Sequence, residues 1–274
     1  MGIKLIVMDM DGTLLGADHV AVPARNISAL RRAKEKGVKL AIASGRTWSL
    51  IGDAVEQLGG IDYAILANGA AVRNVETGEH IYENAIPNPQ AKELIRRLSA
   101  VGLPCEIYCR GQNYAILEEL EQLKECFLSP EFEAQYRAQT RFVSDLAEAL
   151  DGRPMEKINM FYAPPEYREK LCAEAMAAGP VAITNALEGN MEFARGGASK
   201  GLALQALAKH LGLDAREIMA FGDANNDLEM LRWAFWSFAM ANGTAEARSA
   251  GRYIAPANVE AGVGQMVEKY VLEG

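Results

Sequence analysis

Cysteine and histidine are scarce in this 274-residue chain, with four of the first and three of the second. Cys105, Cys109, Cys126 and Cys172 form no Cys-x-x-Cys pair, and a chain this long rarely depends on disulfides. Reduced, buried thiols are the expectation. His19, His80 and His210 are scattered along the sequence, so no histidine-centred metal cluster is in view. Positive charge is in deficit: 28 Lys and Arg face 36 Asp and Glu, a net charge of −8. That balance speaks against a basic face for nucleic acid or an anionic membrane. No apolar run reaches the length that spans a bilayer. The apolar stretch of residues 2–8 has no basic region before it and meets Asp9 too early for a signal peptide. Ile6 stands where a myristoylation site needs Ser or Thr. A cytoplasmic protein with no nucleic-acid or membrane partner is the expectation.

Hydrophobic residues make up 50% of the chain and charged residues 23%, a composition that buries a core. Residues 3–9 are an apolar run ending in carboxylates, which predicts a strand buried in a parallel sheet. A helix over 24–36, a strand over 38–43, a helix reaching 58 and a strand over 63–67 follow. This alternation predicts an α/β domain. Residues 71–75 and 80–83 flank Glu76-Thr77-Gly78 and predict a hairpin. The stretch with Pro87 and Pro89 reads as a linker. Helices and strands then follow in a less regular order up to the strand predicted at 181–185. Alternation resumes with a helix over 199–211 and a strand over 217–221. The predicted organisation is a Rossmann-like parallel-sheet core in two parts, 1–84 and 190–274, with an α+β domain inserted at 85–189. Hinges are expected near 84–89 and 186–191.

Three predicted strand ends carry polar signals: Asp9-Met10-Asp11-Gly12-Thr13, Ser44-Gly45-Arg46 and Gly222-Asp223-Ala224-Asn225-Asn226-Asp227. Ligands of open α/β sheets bind at the carboxyl ends of strands, so these distant segments would converge. Asp9, Asp11, Asp223 and Asp227 would then crowd. Two like charges at ~4 Å repel by about 4 kcal/mol at an effective dielectric near 20. A cation is needed, and oxygen ligands favour Mg²⁺ or Ca²⁺. A calcium loop of the EF-hand type does not fit, because its Gly and Glu positions, counted from Asp9, are Leu14 and Val20. Ser44 and Gly45 form a turn before a helix, a phosphate cradle. Lys200 sits at a helix start, which is unfavourable for a cation unless it neutralises a bound anion.

These residues resemble the four ordered motifs of the haloacid dehalogenase-like hydrolases: Asp9-x-Asp11-Gly12-Thr13, Ser44-Gly45-Arg46, Ser199-Lys200-Gly201 and Gly222-Asp223-x-x-Asn226-Asp227. Asn68-Gly69-Ala70, the position of the insert and the ending Asn258-x-x-x-Gly262-Val263 are similar to the Cof-type subfamily. The resemblance implies a Mg²⁺-dependent phosphatase of small phosphorylated metabolites, with sugar phosphates first and pyridoxal phosphate or flavin mononucleotide next. It implies Asp9 as nucleophile and Asp11 as the acid and base. It implies Ser44, Gly45, Lys200 and Asn226 around the phosphate, and a metal held by Asp9, Asp223 and the Asp11 backbone carbonyl. Asp227 would support the metal or Lys200. An acid at Asp11 separates phosphatases and mutases of the family from its ion pumps, which have Thr there. The insert would be a cap, with Arg110, Asn113, Lys157 and Asn185 as candidate substrate contacts. A phosphomutase, or a module that is phosphorylated on Asp9 without turning over, are the competing readings. Oligomeric state is left open.

Overall fold

The computed structural model describes residues 2–121, 129–184 and 189–273. The chain forms two compact units: one is built from 1–46, 51–82 and 199–274, the other from 83–198 with 47–50.

In the first unit, β1 (Leu5–Met8), α1 (Ala24–Glu35), β2 (Lys39–Ala43), α2 (Trp48–Gln57) and β3 (Tyr63–Leu66) alternate. The hairpin strands β4 (Ala71–Asn74) and β5 (His80–Glu83) follow. After the second unit come α8 (Lys200–Leu211), β12 (Ile218–Gly222), α9 (Leu228–Trp233), β13 (Trp236–Met240), α10 (Ala245–Ala250), β14 (Tyr253–Ala255) and α11 (Gly262–Val267). They build an eight-stranded sheet in the order β14-β13-β12-β1-β2-β3-β4-β5. Pairing from β14 to β3 is parallel, and β4 joins β3 antiparallel. Every residue of β1 is buried, as a strand covered on both faces must be. Leu5, Val7, Ala41, Ile65 and Ile218 pack on one face against Leu204 and Leu207 of α8.

The second unit runs through α3 (Asn88–Ser99), β6 (Cys105–Cys109), β7 (Gln112–Ala115), α4 (Leu117–Leu120), α5 (Pro130–Gln139), β8 (Arg141–Phe142) and α6 (Leu146–Ala149). It continues with β9 (Lys157–Met160), α7 (Pro165–Ala177), β10 (Val181–Thr184) and β11 (Met191–Arg195). The sheet order is β10-β11-β9-β6-β7-β8. The pairs β10–β11, β11–β9, β9–β6 and β6–β7 are antiparallel, and β7 pairs with β8 in parallel. The strands alternate: Ile107, Ile158 and Phe193 face a core with Leu94, Leu98 and Leu171, while Glu106, Tyr108, Lys157, Asn159 and Glu192 take the other face.

Two boundaries differ from the sequence reading. The stretch read as a linker at Pro87–Pro89 opens α3 at Asn88, with Pro89 in its first turn. Proline suits that position because its missing N–H has no intrahelical partner to lose. Strand β11 lies beyond the expected boundary at residue 189 and pairs with β9 and β10 in the second sheet. The last residue of the strand predicted at 181–185, Asn185, lies outside the described residues. No helix among the described residues is long and apolar enough to cross a membrane.

Candidate active site

Strand β1 lies between β2 and β12 in the sheet, with parallel pairing on both sides. Its carboxyl end therefore places Asp9 beside Ser44, which follows β2, and Asp223, which follows β12. The Asp9 amide donates to the carbonyl of Phe221 at 3.0 Å, extending the ladder by one bond. Gly12 has φ +76°, and a Cβ there would collide with the Asp223 carboxylate. Glycine is required by both the conformation and the approach. The loop is fastened by Asn242, whose Nδ2 donates to the Gly12 carbonyl at 2.8 Å, and by Asn258, whose Nδ2 donates to the Leu15 carbonyl at 2.9 Å.

Lys200 is fully buried at the start of α8. Its Nζ donates to Asp9 Oδ1 at 2.5 Å and to Asp227 Oδ1 at 2.7 Å. Burial alone would lower the ammonium pKa, but Asp227 and Asp9 hold it above its usual value. Asp227 is fully buried as well, and its Oδ2 accepts from the backbone N–H groups of Asp223 and Ala224. Asp223 Oδ1 accepts from the Thr13 hydroxyl at 2.7 Å. Asp9, Asp223 and Asp227 each offer an oxygen within 4.8 Å of the others. Burial pushes the Asp9 carboxyl well up; Lys200 opposes this, and Asp227, Asp223 and Asp11 add to it. Burial and Asp227 push the Asp223 carboxyl up to about 6. The negative charge of this cluster exceeds what Lys200 offsets.

The Asp11 carboxylate faces other partners. Arg46 grips it with two bonds, Nε to Oδ2 at 2.9 Å and an Nη to Oδ1 at 2.6 Å. His19 Nδ1 lies 3.0 Å from Oδ1. Burial would raise the Asp11 pKa, yet the charge of Arg46 and the bonds from His19 and Arg46 hold it well below the usual carboxylate range. Ser44 is buried, and its Oγ accepts from the Arg46 amide at 3.1 Å, which leaves its O–H to donate. At Gly45 a Cβ would sit 3.0 Å from Asn68 Oδ1. That same oxygen accepts from Asn226 Nδ2 at 3.0 Å, while Asn226 Oδ1 is buried without a partner among the described residues. An orphaned buried acceptor marks a place that a ligand or water completes.

Three of these contributors carried no assigned role in the sequence. His19 looked isolated, Arg46 was one letter of a motif, and Asn68 was a family signature without a task. Asn68 has φ +56°, and its amide donates to the Ser44 carbonyl at 3.0 Å. The sole sequence sign was Asn-Gly, which favours left-handed backbone.

A sequence profile described as haloacid dehalogenase-like hydrolase matches residues 6–267. The chain belongs to this family. It is of the Cof-type and hydrolyses phosphoric monoesters. Among relatives, it is 28% identical to phosphatase YwpJ of Bacillus subtilis, over 97% of this chain and 99% of the relative. It is 28% identical to the HMP-PP phosphatase of Escherichia coli O8, over 90% of this chain and 87% of the relative. A haloacid dehalogenase-like hydrolase from B. subtilis superposes with a TM-score of 0.84 at 28% identity, covering 97% of this chain and 99% of that one.

The donor set of this haloacid dehalogenase-like hydrolase suits a hard divalent cation: three carboxylates, no sulfur or imidazole, and excess negative charge. In the second unit, Lys157 donates to Glu192 at 2.5 Å, and Asn113 donates to Thr140 at 2.5 Å. Both side chains have internal partners. Arg110 has left-handed backbone and is exposed. Asn185 lies outside the described residues.

Proposed function

We propose that this phosphatase acts on small phosphorylated metabolites through an aspartyl-phosphate on Asp9. The observation that carries the reading is the fully buried Lys200 bridging Asp9 and Asp227. A buried cation on a nucleophile-grade carboxylate positions it and offsets phosphoryl charge. Asp9 attacks phosphorus and the bond to the leaving oxygen breaks; Asp11, which must first take up a proton against the pull of Arg46, gives that oxygen the proton. Asp11 then takes a proton from the water that attacks the acyl phosphate, which frees inorganic phosphate and Asp9. Ser44, the backbone around Gly45, Lys200 and Asn226 hold phosphoryl oxygens. Asp9, Asp223 and the Asp11 carbonyl, with Asp227 behind them, would hold Mg²⁺. When bound, Mg²⁺ supplies positive charge against the carboxylates and the phosphoryl oxygens.

Sugar phosphates stand first as substrates. Phosphorylated cofactors and their precursors stand next, which agrees with the name of the E. coli relative and with the 5-amino-6-(5-phospho-D-ribitylamino)uracil phosphatase of B. subtilis, 25% identical over 98% of this chain. The acidic balance and the buried thiols Cys105 and Cys109 agree with a cytoplasmic setting. The test is phosphate release from a panel of phosphorylated metabolites with Mg²⁺, running Asp9→Asn beside the wild type. Asn is nearly isosteric, so turnover should fall by roughly 10⁴-fold or more with the fold retained. Near wild-type turnover by Asp9→Asn would overturn the covalent route.

A further inference from the structure

The turn between β3 and β4 is strained beyond what reversing the chain requires. Antiparallel pairing sets Leu66 opposite Ala71, so the turn is residues 67–70. Ala67, Asn68 and Gly69 all have left-handed backbone, with φ of +49°, +56° and +94°. Tight hairpins use one or two such residues, and glycine and asparagine adopt them readily. Alanine does not, because its Cβ crowds the following carbonyl and its side chain offers nothing in return. Backbone of this kind persists where its surroundings enforce it, and it clusters around ligands.

The surroundings here are the segments given the phosphate above. The Ala67 amide donates to the Arg46 carbonyl at 3.0 Å, and the Asn68 amide donates to the Ser44 carbonyl at 3.0 Å. These two bonds bracket Gly45. Asn68 is buried, and its Oδ1 lies against the same loop, since a Cβ on Gly45 would approach it to 3.0 Å. That oxygen also accepts from Asn226 Nδ2 at 3.0 Å. At the next residue, a Cβ on Gly69 would collide with the carbonyl of Ser199, the neighbour of Lys200. One turn therefore touches Ser44-Gly45-Arg46, Ser199-Lys200 and Asn226.

A carboxamide nitrogen carries two hydrogens. Asn226 Nδ2 gives one to Asn68, which fixes the plane of the amide and so the direction of the second. The same bond decides which end of the amide is which. Turned over, Asn226 would set its oxygen against Asn68 Oδ1, acceptor on acceptor. Asn226 Oδ1 has no partner among the described residues that would make this choice.

We infer that Asn68 is a positioning residue for this phosphatase: its Oδ1 holds the Asn226 amide beside Gly45, with the second Nδ2 hydrogen directed for a phosphoryl oxygen before substrate arrives. This rests on the phosphate-holding role given above to Gly45 and Asn226. Asn68 itself need not touch substrate.

The experiment separates the side chain of Asn68 from its backbone. Asn68→Gly adopts a positive φ without strain but has no oxygen, whereas Asn68→Ala lacks the oxygen and is strained as well. The probe is inorganic phosphate, read as its inhibition constant against hydrolysis of 4-nitrophenyl phosphate with Mg²⁺ present. Both variants should raise that constant roughly tenfold, the loss of one fixed donor to an anion. Only Asn68→Ala should also melt roughly 2–4 °C below the wild type. If Asn68→Gly is inhibited by phosphate as the wild type is, the residue serves the turn alone and the inference is overturned. Asn226→Ala is the reference and should raise the constant by a similar factor. Adding Asn68→Gly to it should change little more, because the bond is already gone. Two full, multiplying effects would mean that Asn68 does not act through Asn226, which also overturns the inference. If Asn226→Ala leaves the constant unchanged, the phosphate role of Asn226 fails first and takes this inference with it. Should Asn68→Gly not fold, as judged by circular dichroism, Asn68→Ser, whose hydroxyl is too short to reach Asn226, takes its place in the cycle.

Discussion

Both units bury charged side chains, and they treat them in opposite ways. In the second unit, Glu106 accepts from the hydroxyls of Tyr136 at 2.6 Å and Tyr108 at 2.9 Å and from Asn159 at 2.9 Å. Lys157 is paired with Glu192 and lies 4.5 Å from the Tyr108 ring centre. These groups are saturated by their neighbours, as buried polar networks must be to remain stable. In the first unit, Asp9 and Asp227 share one ammonium with the Asp223 carboxylate beside them, and Asn226 Oδ1 has no partner among the described residues. Burial of charge therefore does not by itself mark a site. Incomplete compensation does, because a native chain retains it where a ligand completes it.

Removing Lys200 should sharpen the contrast most. Lys200→Met is expected to lower phosphate release by roughly 10³-fold. It should also cost the metal-free protein about 3–5 kcal/mol, because it leaves Asp9 and Asp227 unneutralised; activity assays and denaturant melts read the two effects. A tenfold rate effect or less would make Lys200 a structural cation like Lys157. Chelation comes next. EDTA should stop turnover and Mg²⁺ should restore it, with a melting free energy raised by ~2.7 kcal/mol at 100 times the dissociation constant. Activity that survives thorough chelation would show that the carboxylate cluster is complete as it stands.

Glu106→Ala strips a common acceptor from four donors, Tyr108, Tyr136, Asn159 and Asn113, and should destabilise by about 3 kcal/mol or more, given ~1–3 kcal/mol for each buried donor left unmatched. Differential scanning calorimetry would detect it, and an unchanged melt would mean that the network is less saturated than its geometry says. Thr13→Val is the smallest change. It removes the 2.7 Å bond to Asp223 and should cost about 1 kcal/mol, equivalent to roughly fivefold in metal affinity. Isothermal titration with Mg²⁺ measures it.

The first unit was legible in the sequence for a simple reason. Strands buried on both faces read as apolar runs, and each ends at its polar signal: Met8 before Asp9, Ala43 before Ser44, Phe221 and Gly222 before Asp223. The second unit was less legible. Its strands carry Glu106, Lys157 and Glu192 on a buried face, so hydropathy understates their burial. Pro87 and Pro89 imitate a linker, although proline opens helices equally well.

Residue types and order alone determined the parallel α/β core, the convergence of Asp9, Ser44 and Asp223, and the crowding of carboxylates there. Those follow from periodicity and from strand ends meeting at one edge, neither of which requires coordinates. The tertiary structure alone decided which charges face one another. Asp11 turns to Arg46 and His19, while Asp9 and Asp227 share Lys200. Such pairings join residues up to 191 positions apart. They depend on rotamers and left-handed turns fixed only when the loops pack, and a linear sequence carries no record of them.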